Sequence, residues 1–196
     1  MKKTIFIMIL LVILSQVCYA SPLNDFTRGI TVVDLNSNIH TFLGTNCFDV
    51  TISRGLGNGW ATSSRLTGYD TSYNASAYRV RNREINILRK INDNLQIYAG
   101  YSKTTGYDKL VGHDLTDKDV VQAGIIASKK LGDKLILYTI LGGGRNVTNI
   151  EFGLSHKLNS ALELTTTYRH LTVEKVGPSQ AKENLRGFGL SLTLRI

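Results

Sequence analysis

The residues with the clearest capacity for chemistry are His113, Asp114, Asp117 and Asp119, an imidazole close to three carboxylates. Such a group could move a proton, or hold a divalent ion loosely. Catalysis would need a second partner fixed on a rigid element, and His170 with Glu174 supply the right side chains. An acidic, polar stretch is also what a solvated loop looks like, and that is the reading we adopt. His40 and His156 complete the histidines, and none of the four stands at a ligand spacing from another. Gly142-Gly143-Gly144-Arg145 has the glycines of a phosphate cradle but lacks the following Lys, Ser or Thr and the helix that would aim amides at an anion. A tight turn explains it better. We therefore expect no catalytic residue, no metal ligand and no cofactor site.

What must position these residues is a set of strands. Helical periodicity is absent over any useful window, and strict alternation recurs instead. Leu95, Ile97, Ala99 and Tyr101 share one face, opposite Gln96, Gly100 and Ser102. Val121, Ala123, Ile125 and Ala127 oppose Gln122, Gly124 and Ser128, and Ile150, Phe152 and Leu154 oppose Glu151, Gly153 and Ser155. Leu162, Leu164, Thr166 and Tyr168 alternate with Glu163, Thr165, Thr167 and Arg169. The last segment sets Phe188, Leu190, Leu192, Leu194 and Ile196 against Gly187, Gly189, Ser191, Thr193 and Arg195. The polar faces are small and hydrogen-bonding, which suits a narrow enclosed interior rather than the wet side of a sandwich. The fold class that follows is all-β, an antiparallel up-and-down transmembrane β-barrel with its apolar face toward lipid.

Connection lengths carry a second pattern. Gly55 to Gly59, Asn92 to Asn94, Leu131 to Asp133 and Leu158 to Ser160 read as tight hairpin turns. Between them lie longer polar stretches at Asn36 to Asn46, Asp70 to Ala77, Gly106 to Lys118 and Glu174 to Asn184, with Gly142 to Val147 the shortest. Short periplasmic turns alternating with longer outer loops are the habit of outer-membrane barrels. Strands are expected at Gly29 to Leu35, Cys47 to Arg54, Trp60 to Tyr69, Tyr78 to Ile91, Leu95 to Thr105, Asp119 to Lys130, Lys134 to Leu141, Thr148 to Lys157, Ala161 to Val173 and Leu185 to Ile196. That makes about ten. The first is short, with Asp34 at its outer end, and losing it would favour eight.

One register can be read directly. A three-residue turn at Leu158 to Ser160 would face Lys157 with Ala161, Leu154 with Leu164 and Ile150 with Tyr168, placing Glu151 diagonal to Arg169. A turn one residue longer or shorter would put both faces out of phase. Tyr69, Tyr101, Tyr107 and Tyr168 fall at outer strand ends and Trp60 at an inner turn, as interfacial girdles require.

The compartment agrees. Lys2 and Lys3 precede an apolar run from Ile5 to Leu14, and Cys18-Tyr19-Ala20 fits a signal-peptidase site, so residues 1–20 read as a signal peptide cut between Ala20 and Ser21. Ser15, Gln16 and Val17 lack the pattern for lipid attachment at Cys18. Residues 21–196 then form a single domain with Cys47 as its one cysteine, which excludes an internal disulfide. Removing Lys2 and Lys3 from the 23 basic residues leaves 21 against 15 acidic ones, a net charge of +6. The bases do not cluster, and an exported chain meets little nucleic acid, so none is expected as a partner.

With Gly55-Leu56-Gly57-Asn58 and Tyr98-Ala99-Gly100-Tyr101, the chain resembles small outer-membrane β-barrel proteins, in particular porin-like barrels of double-membraned Firmicutes. The resemblance covers nearly the whole mature chain. It implies outer-membrane lipid as the surroundings, assembly by the barrel-assembly machinery and, at most, small solutes as ligands. The last strand is similar to the signal that machinery reads, except that it ends in Ile196 where an aromatic residue is usual.

Strand parity points Asp49, Arg65, Glu84, Glu151, Glu163, Arg169 and Arg195 into the interior. Unpaired charges there would be costly, so mixed-sign ladders are expected, acting as a plug or as a charge-lined constriction. Arg81, Arg83 and Arg89 fall on the lipid-facing parity, which calls for snorkelling or for a bulge near Arg83. The function expected is a structural or porin-like outer-membrane barrel. The alternatives are an outer-membrane enzyme acting on lipid or peptide at the outer rim, and a soluble exported barrel that binds a ligand inside.

Overall fold

Alternating side chains can bury only one face of a strand, and ten such strands satisfy both their faces and their backbone edges by closing on themselves. In a computed structural model, which describes residues 26–39, 46–73, 76–108, 114–176 and 181–196, the strands are β1 (Thr31–Ile39), β2 (Asn46–Gly57), β3 (Trp60–Tyr73), β4 (Ser76–Asn92), β5 (Leu95–Asp108), β6 (Asp114–Lys130), β7 (Leu135–Gly144), β8 (Val147–Lys157), β9 (Leu162–Val176) and β10 (Ala181–Arg195). Each pairs antiparallel with its sequence neighbours, and β1 closes on β10 to complete the barrel. The seam runs from Val32 opposite Arg195 to Ile39 opposite Phe188, and Thr31 and Ile196 exchange two backbone hydrogen bonds of 2.8 Å at its end. The expected ten strands are therefore present, and the alternative of eight is excluded. The expected signal peptide, its cut at Ala20 and Ser21, His40 and His113 lie outside the described residues.

The faces are distributed as an inside-out protein. Phe48, Ile52, Ile85, Ile87, Val121, Phe152, Phe188 and Leu190 are exposed on the outer wall, while Thr67, Ser102, Ser155 and Thr165 are wholly buried inside. The interior also holds two apolar layers. Cys47, Val80, Val120, Val147, Leu171 and Val173 gather with Tyr69 at the loop end. At the turn end, Phe26 from the segment before β1 packs with Val32, Ala61, Leu88, Tyr98 and Ile126. Tyr69 thus corrects an expectation: it is 5% exposed and points inward, not into a girdle. Tyr101, Tyr107 and Trp60 do face outward, and Tyr168 packs on Phe188 with ring centroids 5.1 Å apart.

The turns follow their residues. Gly57 pairs with Trp60 across Asn58 and Gly59, whose φ values of 53° and 75° are those a type I′ turn demands. Asn92 pairs with Leu95, and the Asn92 side chain accepts from the Asn94 amide. The turn after β8 is longer than expected. Lys157 faces Glu163 rather than Ala161, because Asn159 Oδ1 accepts from the amides of both Ala161 and Leu162 and holds a wider loop. The register moves by two residues, which preserves every face and sets Glu151 directly opposite Arg169.

Every strand extends further toward the loops than its hydropathy suggests, because backbone pairing continues after apolar alternation stops, most of all β1 to Ile39, β3 to Tyr73, β6 from Asp114 and β10 from Ala181. Gly142, Gly143 and Gly144 likewise belong to β7, and only Arg145 and Asn146 form the turn. No bulge lies near Arg83, since β4 keeps unbroken register from Arg89 to Tyr78 with both neighbours. Arg81 and Arg83 simply face out.

Inward glycines make room for tyrosine rings. A Cβ on Gly153 would collide with Cε1 and Cζ of Tyr138, and one on Gly142 would meet the Tyr98 hydroxyl. Gly153→Ala is therefore expected to cost roughly 1–3 kcal/mol by overpacking, and to cost much less when Tyr138 is first replaced by Ser. Denaturant unfolding of the four proteins of that cycle checks it, and additive losses would count against the ring contact.

Candidate functional site

The interior midway along the barrel holds the candidate site. Parity turns Asp49 on β2, Arg65 on β3, Glu84 on β4, Glu151 on β8 and Arg169 on β9 inward, and the closure of the sheet brings them to one level. Arg65 Nη2 lies 3.2 Å from Asp49 Oδ2, and Arg65 Nη1 lies 2.9 Å from Glu151 Oε2. Arg169 Nη1 lies 2.9 Å from Asp49 Oδ1, Nη2 lies 3.6 Å from Glu84 Oε1 and Nε lies 3.8 Å from Glu151 Oε2. In a ring of ten, β3 and β8 are diametrically opposed, and so are β4 and β9. The Arg65–Glu151 and Arg169–Glu84 pairs therefore span the whole lumen.

Neutral groups complete the lattice. Arg169 donates to Asn149 Oδ1 at 2.9 Å and Thr67 Oγ1 at 3.2 Å, and Thr67 in turn donates to Asp49. Glu84 accepts from Asn82 at 2.8 Å and from Gln122 at 3.2 Å, while Tyr138 donates to Glu151 at 2.9 Å. Asp34, on the lumen face of β1, accepts from Ser191 and from Thr193. Its place on that face corrects the reading of Asp34 as an outer-end interruption. Counting Asp34, Asp49, Glu84 and Glu151 against Arg65 and Arg169, the centre holds four carboxylates and two guanidinium groups. Among the described residues, Arg65 Nε and Arg169 Nη2 keep no hydrogen-bond partner, and water is the ordinary partner for such groups.

The remaining two sequence-predicted charges form a separate pair. Arg195 Nη2 lies 3.0 Å from Glu163 Oε1 near the turn end, where Ser155 also donates to Glu163. Lys90, Lys130, Lys157 and Arg195 line a pocket of about 220 Å³ at this mouth. Lys90 hydrogen-bonds Asp93 at 2.6 Å in the β4–β5 turn and holds that carboxyl below its ordinary value. A cation thus meets positive charge at the mouth, and an anion meets net negative charge at the centre.

No family model matches the chain, and no curated protein matches it. Among solved structures, it is similar to the NanC porin, with 11% identity over 84% of this chain and all of that one and a TM-score of 0.48. The Yersinia pestis outer membrane protein Ail gives 9% identity over 86% of this chain and all of that one, with a TM-score of 0.46. The N-terminal β-barrel domain of Pseudomonas aeruginosa OprF gives 9% over 86% and 98%, with a TM-score of 0.40. The architecture rests on the strand pairing itself, not on these likenesses.

All seven charges expected to face inward lie on the lumen side, five of them in the central lattice. Sequence reasoning missed Asp34, Asn82, Asn149, Tyr98 and Tyr138, which the same parity rule would have found. Of the enzyme-like group, His113 and the side chains of Asp114 and Asp117 lie outside what is described. Asp119 is exposed on the outer wall. His170 Nε2 accepts from Arg186 Nε at 3.1 Å and lies 3.2 Å from Thr172 Oγ1, so its basic nitrogen is occupied by a cation rather than oriented by a carboxylate.

Proposed function

We propose that this chain is an outer-membrane β-barrel with a structural or porin-like role, its lumen closed at mid-height by the Arg65–Arg169 lattice so that at most a narrow charge-lined path remains. The observation that carries it is a barrel wall that is apolar outside, combined with ion pairs that cross the full lumen inside. A water-filled solute pore needs a continuous gap between such walls, and here the ion pairs of Arg65 and Arg169 cross it beside a cavity of only about 90 Å³. The cell that would carry it is a double-membraned bacterium, in keeping with the resemblance to barrels of Firmicutes of that kind. Leu190, Leu192 and Leu194 on β10 would serve as the segment read during barrel assembly. An enzymatic role at the outer rim draws no support from His170, whose Nε2 already accepts from Arg186. A soluble barrel is disfavoured by the breadth of apolar surface on the exterior.

Refolding into phosphatidylcholine vesicles tests the reading. The unboiled protein is expected to run as a compact band that shifts on boiling, and planar bilayers containing it are expected to show no sustained stepwise currents. A protein that stays monomeric in water without detergent would refute the membrane assignment. Large steady currents would refute the closed lumen.

A further inference from the structure

We propose that the outer wall carries a binding site for the phosphate of an anionic lipid head group, built on Arg79, Arg81 and Arg83 of β4. The inference rests on the membrane reading above. Alternation on β4 places Ile85 and Ile87 outward, and the same face continues as Arg83, Arg81 and Arg79, all exposed. Three guanidinium groups in succession on a lipid-facing stripe are costly near the bilayer centre and tolerable only at its edge, where head groups lie. Their position matches that edge, because outward apolar residues on β4 stop at Ile85 and those on β5 give way to Lys103 after Tyr101. Lys103 pairs in register with Arg83, extending the positive surface onto β5.

The patch has a shape as well as a charge. A groove of about 260 Å³ on the exterior is lined by Arg79, Arg81, Thr105, Gly106 and Tyr107. Arg81 sits between Gly68 on β3 and Thr105 on β5, and a Cβ on Gly68 would meet nothing within 4 Å, so the wall beside this guanidinium is open. Among the residues whose side chains are described, two carboxylates border the site. Asp70 accepts from Arg79 Nε at 3.0 Å, and Asp119 stands in register with Lys103. Among the described residues, Arg81 and Arg83 have no ion-pair partner. A planar fork of donors beside a hydroxyl and a phenol is suited to a phosphate held bidentately, and a phosphomonoester at the head-group level supplies one.

The test compares full-length protein in phosphatidylcholine vesicles with and without phosphatidic acid, reading the temperature at which the compact band is lost. Wild type is expected to be stabilised by phosphatidic acid. The R81Q/R83Q variant is expected to lose that gain, with apparent affinity for the lipid falling roughly fivefold for each guanidinium removed, while R81K/R83K retains part of it. Equal lipid dependence in wild type and R81Q/R83Q would overturn the proposal. So would stabilisation of wild type in pure phosphatidylcholine by inorganic phosphate alone, which would mark a site for a free anion. A wild type that enters phosphatidylcholine normally but ignores phosphatidic acid refutes this site and leaves the membrane reading standing. A wild type that enters neither vesicle refutes both. If R81Q/R83Q fails to insert, the single R81Q variant replaces it with the same expected loss in smaller degree.

Discussion

Arg169→Ala is expected to open the lumen and to weaken the barrel at the same time. Arg169 is 2% exposed and meets Asp49, Glu84, Glu151, Asn149 and Thr67 from one guanidinium group. Removing it leaves Arg65 alone against four carboxylates and empties the space between opposite walls. Breaking a buried pair by deleting one partner typically costs about 3–5 kcal/mol, because the surviving charges stay buried without compensation. Water drawn in by those carboxylates offsets part of that cost, and the same water makes a path. The excess negative charge fixes its sign, so planar bilayers holding the variant should show stepwise currents that favour cations, where wild type is silent. The denaturant midpoint in vesicles should fall. Arg195→Ala, which removes a pair at the mouth with a side chain 23% exposed, should change both readings much less. A variant as silent and as stable as wild type would show that Arg169 does not close the lumen.

The architecture was legible in the residues because parity has a period of two and survives errors of position. Even the turn after β8, two residues wider than expected, left Glu151 and Arg169 facing the lumen. What parity does not carry is height and azimuth. Arg65 and Glu151 are 86 positions apart, and Arg169 and Asp49 are 120 apart. Their meeting depends on the stagger with which the sheet closes, a property of the ring that no single hairpin contains. Asp34 illustrates a second limit. A carboxylate in a short first strand looks like an ending, and only the pairing of β1 with β10 turns it into an acceptor for Ser191 and Thr193. Tyr69 illustrates a third, since an aromatic near a strand end suits either a head-group girdle or an interior layer. The parity of β3, with Arg65 and Thr67 inward, decides for the interior.

Ile87→Arg separates a wall in lipid from a wall in water more sharply than any change in the lumen. Ile87 is 54% exposed and pairs on either side with Thr62 and Ala99, within the apolar stretch of β4. In a water-soluble barrel, such a half-exposed position would accept Arg with a change of about 0.5 kcal/mol or less. Against hydrocarbon the same substitution costs about 2–4 kcal/mol near the bilayer midplane. Unfolding from phosphatidylcholine vesicles should therefore show a loss of that larger size for Ile87→Arg. Arg83→Leu, at the edge of the apolar stretch on the same face, should be nearly neutral in that lipid. The contrast between the two positions matters more than either value, because a general intolerance of β4 to substitution would lower both. Equal, small effects at both positions would mean that Ile87 meets water, and the apolar exterior would then need another partner to cover it.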